Sequence, residues 1–123
     1  MSDRILLDVV DGVADLRLNR PDKLNALDTG LFRAIVEAGE ALKADRAVRV
    51  VVLSGAGRGF CAGLDFSSFQ AMAGGGGAAS SDARGGGAPL GAIGETDGRI
   101  THLGQQAAWV WQELEVPVIA AVH

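Results

Sequence analysis

The 123-residue sequence predicts an α/β fold in which short strands alternate with helices and the sheet becomes parallel as it grows. Three observations carry this. "ILLDVVDGVADLRLN" reads as two short strands around Asp11-Gly12, a dipeptide that favours the tight turn of a hairpin. Leu31, Ile35, Ala38 and Leu42 then recur at helical spacing. Directly after that stripe, "VRVVVLSG" is almost unbroken in its apolar character, as expected of a strand covered on both faces in a parallel sheet.

In the second arm of the hairpin, Val13, Asp15 and Arg17 alternate with Ala14, Leu16 and Leu18, so one face is apolar. "NRPDKLNALD" supplies polar and turn residues around Pro21. The helix should begin at Asp28 or Thr29, whose side chains can accept from free N–H groups of the first turn. Phe32 and Val36 widen its stripe, and Lys43 and Arg46 lie near its C-terminal end, where the helix dipole favours cations. Further on, Ile100, Leu103, Ala107, Val110 and Leu114 mark a second amphipathic helix. Pro117 ends it, and "VIAAV" reads as another buried strand just before His123. A strand in that place predicts that further elements are needed to complete the domain.

Bulk properties narrow the function classes. The formal net charge is −4, which disfavours a general nucleic-acid or anionic-membrane surface. A single cysteine excludes an internal disulfide framework and fits a reducing compartment. The N-terminus lacks the apolar core of a signal peptide, and no apolar run approaches membrane-spanning length. A soluble cytoplasmic protein is expected. Glycine counts 18 and concentrates in a low-complexity stretch, "AGGGGAASSDARGGGAPLGAIGETDG", expected to be a flexible insertion at about 73–98. A glycine-rich nucleic-acid tail would interleave arginine with aromatics, which this stretch does not.

The chemistry-bearing stretch is "SGAGRGFCAGLDF", Ser54 to Phe66. Read as a phosphate cradle, it lacks the Lys-Ser/Thr pair of a P-loop, since Leu64-Asp65 follows Gly63. It also lacks the long helix that should follow a dinucleotide-binding turn. Read as a nucleophile site, it offers Cys61, but neither His102 nor His123 stands in a spacing that implies a catalytic pair. Read as an oxyanion site, its small residues let a carbonyl approach backbone N–H groups closely. Composition alone does not decide among the three.

Three stretches in order, "LNRPDKLNALD", "VRVVVLSGAGRGFCAGLDF" and "VPVIAAVH", resemble the crotonase, or enoyl-CoA hydratase/isomerase, family. The resemblance spans nearly the whole chain outside the glycine-rich insertion. It implies a spiral of ββα units, incomplete here because the C-terminal part of that fold would follow His123, so that 1–123 is the N-terminal part of one such domain. It implies a substrate site from Lys23, Leu24 and Ala26, in the segment Lys23, Leu24, Asn25, Ala26 that lines the adenine end of coenzyme A, with Lys23 and Arg20 placed to meet a CoA phosphate. Ala62, Gly63, Leu64, Asp65 and Phe66 would line the acyl-thioester end. The backbone N–H of Leu64 would be one of two oxyanion donors, and Asp65 would fix the turn rather than shuttle a proton. No metal and no separate cofactor are implied, since the substrate carries coenzyme A, and the family assembles as trimers or hexamers.

The implied reaction is hydration or isomerisation of an enoyl-CoA through an enolate, as in fatty acid metabolism. The second oxyanion donor and the family's acid/base residues would lie after His123. The alternative is a truncated, non-catalytic relative that binds acyl-CoA or a partner subunit. His102 is expected at the surface or packed locally, while Trp111 and His123 are expected to pack rather than to react.

Overall fold

The computed structural model describes residues 3–67 and 102–123. The insertion expected at about 73–98, and Ile100 of the second stripe, lie outside them. A four-stranded sheet of order β1-β2-β3-β4 carries the chain, with β1 Ile5–Val10, β2 Val13–Leu18, β3 Val50–Gly55 and β4 Val118–Ala120. β1 and β2 form the expected antiparallel hairpin, turned at Asp11 and Gly12 with φ of 51° and 82°. β2–β3 and β3–β4 are parallel. The mixed α/β architecture is therefore the one the sequence predicts.

Helix α1, Thr29–Ala44, crosses from β2 to β3. Asp28 caps it by accepting from the Leu31 N–H at 2.9 Å. Leu31, Phe32, Ile35, Val36, Ala38 and Leu42 are buried, so the apolar stripe is the face that meets the sheet. There it packs on Ile5, Ala14, Leu16, Leu18 and Val51. Leu16, Ala14 and Val51 are wholly buried.

Helix α2, Leu103–Trp109, is the second stripe, tightening into a 3-10 turn over Val110–Glu113. His102 caps it, its Nδ1 accepting from the Gln105 N–H at 3.3 Å. α1 and α2 approach so closely that a Cβ on Gly39 would lie 2.6 Å from a Val110 methyl. Lys43 joins the same two elements at the surface, 2.9 Å from Glu40 and 3.7 Å from Glu113.

Two expectations of burial are corrected. β3 is not covered on both faces: Val50, Val52 and Ser54 are only half-buried, because the described helices pack on one face of the sheet. β4 is not a buried strand either. Ile119 is 55% exposed and Val122, past the end of the strand, 71%, since β4 pairs with β3 on one side and meets nothing described on the other.

Candidate functional site

The loop after β3 folds back over the end of the sheet against the segment between β2 and α1. Gly55 permits the contact: a Cβ there would lie 2.5 Å from the Phe60 carbonyl oxygen and 2.7 Å from the Asn25 amide nitrogen. Asn25 is fully buried at the centre. Its Oδ1 accepts from the Arg20 N–H at 2.8 Å, and its Nδ2 donates to the carbonyls of Ala56 at 3.0 Å and Gly59 at 2.8 Å. Leu24 and Asn25 both take left-handed backbone conformations, φ 52° and 55°. Asparagine tolerates that region, whereas leucine is strained in it.

The two segments are stitched along their length. The Ala62 N–H donates to the Leu24 carbonyl at 2.9 Å. Leu27 then forms a one-residue parallel bridge with Leu64: its N–H donates to the Gly63 carbonyl at 2.6 Å and its carbonyl accepts from the Asp65 N–H at 2.9 Å. Within one trans peptide the C=O and the N–H point in opposite directions, and the Gly63 carbonyl that faces Leu27 belongs to the same peptide as the Leu64 N–H. The Leu64 N–H is thus turned away from the bridge, and no acceptor meets it among the described residues. Gly63, with φ 93°, makes the turn that sets this orientation up.

Asp65 is buried, 4% exposed. Its carboxylate accepts from the Arg20 guanidinium and from both the N–H and the hydroxyl of Ser67. Arg20, expected beside Lys23 at a phosphate, instead turns inward. Its Nη1 also donates to the Ala26 carbonyl at 2.9 Å, and its Nη2 lies 3.7 Å from Asp28. The physical reason is a pair of acidic side chains, Asp28 and Asp65, poorly exposed on either side of it. Lys23 ends the 3-10 turn Pro21–Lys23 and is exposed.

Two cavities flank the loop. A cleft of about 420 Å³ is lined by Leu24, Arg58, Gly59, Phe60, Cys61, Ala62, Val122 and His123. An apolar cavity of about 370 Å³ lies between the sheet and the helices, with Leu27, Phe32, Leu53, Ala107 and Trp111 in its wall. Phe60 and Cys61 line both. His123 closes one end of the cleft, its Nε2 3.1 Å from the Gly57 carbonyl oxygen and its own carbonyl accepting from the Phe60 N–H.

Of the residues singled out in the sequence, Leu24 and Ala62 face this cleft. Leu64 and Phe66 are exposed, 58% and 79%, while Ala26 is buried beside Asn25. Cys61 is half-buried against the core, and no His, Cys, Asp and Glu cluster suited to a metal occurs among the described residues. No helix of the described residues is long and apolar enough to cross a membrane. The clasp of Arg20 and Asn25 is what sequence reading missed. An Asn after a turn hints at left-handed backbone, but nothing local names its partners.

A mixed sheet with α1 crossing between β2 and β3, and a glycine-rich loop ending in a backbone N–H that meets no acceptor among the described residues, defines an α/β protein of ββα type. The sequence model of the enoyl-CoA hydratase/isomerase family matches residues 13–84, and the chain belongs to that family. It is 40% identical over 67 residues to the 1,2-epoxyphenylacetyl-CoA isomerase of Escherichia coli, covering 54% of this chain and 26% of that enzyme. To the peroxisomal Δ(3,5)-Δ(2,4)-dienoyl-CoA isomerase of Arabidopsis thaliana it is 33% identical over 111 residues, 90% of this chain and 37% of that protein.

Solved structures agree on the fold. A Mycobacterium smegmatis enoyl-CoA hydratase superposes with a TM-score of 0.71 at 30% identity, covering 99% of this chain and 40% of that one. A Pseudomonas aeruginosa protein gives 0.74 at 32%, covering 98% and 44%. The crotonase fold is thus present in part. The chain spans about a quarter of the length of the first curated relatives it matches.

Proposed function

We propose that the chain supplies the thioester-holding part of an enoyl-CoA hydratase or isomerase site. The observation that carries this reading is the Leu64 N–H: exposed, lacking an acceptor among the described residues, and fixed by the bridge to Leu27. Removing a proton next to a thioester, or adding water across its conjugated double bond, builds enolate charge on the carbonyl oxygen. A preorganised N–H stabilises that charge more than it stabilises the ground-state carbonyl. Leu24 and Ala62 would border the thioester's path through the cleft, and exposed Lys23 is available to a CoA phosphate. Related enzymes named for acyl-CoA isomerisation and for hydroxycinnamoyl-CoA hydration and cleavage support the substrate class.

The test is Leu64→Pro, which deletes the N–H without touching either hydrogen bond of the bridge. Enoyl-CoA hydration is followed as loss of the conjugated thioester absorbance, in a chain extended by the C-terminal part of the crotonase fold. Turnover should fall about 100-fold, the effect of losing roughly 3 kcal/mol of oxyanion stabilisation. Binding of crotonyl-CoA should weaken more than binding of its thioether analogue, which has no carbonyl. Undiminished turnover, or equal weakening of both ligands, would sink the assignment.

A second reading, a relative that binds acyl-CoA or a partner subunit without catalysis, is favoured by the exposed Ile119 and Val122 at β4. It predicts thioester binding with no turnover, or a complex whose size exceeds one chain in sedimentation.

A further inference from the structure

The segments 20–27 and 62–67 are far apart in sequence, yet each holds the other's backbone. Leu64 lies between two clamped neighbours. On one side Gly63 accepts from Leu27; on the other Asp65 donates to Leu27, and its buried carboxylate reaches Arg20 and Ser67. Arg20 is tied into the first segment by both its backbone and its side chain. Its N–H donates to Asn25, its carbonyl accepts from the Lys23 and Asn25 N–H groups, and its guanidinium meets the Ala26 carbonyl and Asp28.

From this we infer that Arg20 is a positioning residue for the Leu64 N–H, acting through Asp65. The inference rests on the oxyanion reading of Leu64 given above and goes beyond it, since Arg20 touches neither the proposed thioester nor coenzyme A. A planar guanidinium presents donors in a fixed fork and can hold Asp65 and the Ala26 carbonyl from one nitrogen while facing Asp28 with the other. That geometry fixes where the 63–65 peptides sit relative to the 24–27 peptides, and so where the Leu64 N–H is aimed. A lysine ammonium keeps the charge but not the fork. Asp65→Asn keeps the shape but weakens the charge-assisted bond.

The experiment uses [1-¹³C]crotonyl-CoA and reads the carbonyl chemical shift on saturation of the protein, because that shift reports how strongly a donor polarises the bound carbonyl. Three variants are compared with the unaltered chain: Arg20→Lys, Asp65→Asn, and Val48→Ala, a buried residue remote from the loops. Arg20→Lys keeps the buried charge balanced, so the experiment does not hang on Asp65→Asn folding.

The unaltered protein should displace the carbonyl resonance downfield. Arg20→Lys and Asp65→Asn should each lose at least half of that displacement, and Val48→Ala, though less stable to urea, should keep it. Full displacement in both loop variants would overturn the positioning role and leave the oxyanion reading standing. A loss in Val48→Ala as large as in the loop variants would reduce Arg20 to a general stabiliser and equally overturn the role. Absence of binding or of displacement in the unaltered protein would overturn the oxyanion reading and the positioning role with it.

Discussion

At Leu24 and Asn25 the backbone runs left-handed twice in succession. The strain is held by the Asn25 side chain, whose bonds to Arg20, Ala56 and Gly59 are all made out of contact with solvent. Asn25→Ala would strand those buried groups and place a β-carbon residue with no compensating bonds in the left-handed region. It should cost about 3 kcal/mol, read as a lowered urea midpoint with an unchanged slope. Such a hub could not be read from the sequence, because two of its partners are plain carbonyls 31 and 34 residues away. The Arg20–Asp65 pair spans 45 residues and was equally hidden. Leu64 was singled out only through the family resemblance, because composition left three readings of the glycine-rich stretch open; what the structure adds is the local turn at Gly63 that orients its N–H.

Among the elements, α1 was legible in full, since its cap, stripe and end are written in consecutive residues: Asp28, then Leu31 to Leu42, then Lys43. What a stripe does not say is how near its partner comes. Gly39 lies where α1 meets Val110, and a methyl group there would fall 2.6 and 2.7 Å from the two Val110 methyls. In an isolated helix, Gly to Ala gains about 1 kcal/mol. Here Gly39→Ala should instead destabilise by about 1–3 kcal/mol through overpacking. Adding Val110→Ala should recover much of the loss, a non-additivity that a double-mutant cycle by urea unfolding measures. β4 was misjudged because an apolar run signals a strand without saying which side is covered; neighbours decide that, and β4 has one described neighbour.

At the scale of the whole sheet, the two helices among the described residues lie on one face, leaving the other face and the free edge of β4 without a described cover. Leu6, Val10, Val13 and Ile119 are all exposed there. An unpaired strand edge beside exposed apolar side chains is prone to pair with another chain. Sedimentation velocity across a concentration series should therefore show reversible association, and Ile119→Lys should weaken it. The same substitution should change stability by less than about 0.5 kcal/mol, because the side chain is already half in water. Sedimentation that is independent of concentration, or unaffected by the lysine, would remove the edge from consideration as an interface.

The stitch between Leu27 and Leu64 also sets an order of events. Its hydrogen bonds join residues on opposite ends of the β2–α1–β3 crossover, so they cannot exist before β3 has docked beside β2. Closing so long a stretch carries an entropic cost that only the completed parallel pairing offsets. Until then nothing holds Leu24 and Asn25 left-handed, and the Leu64 N–H has no fixed direction. The shape of the loop should therefore form late in folding, and a growing chain that has not yet passed residue 65 cannot make the Leu27–Leu64 stitch.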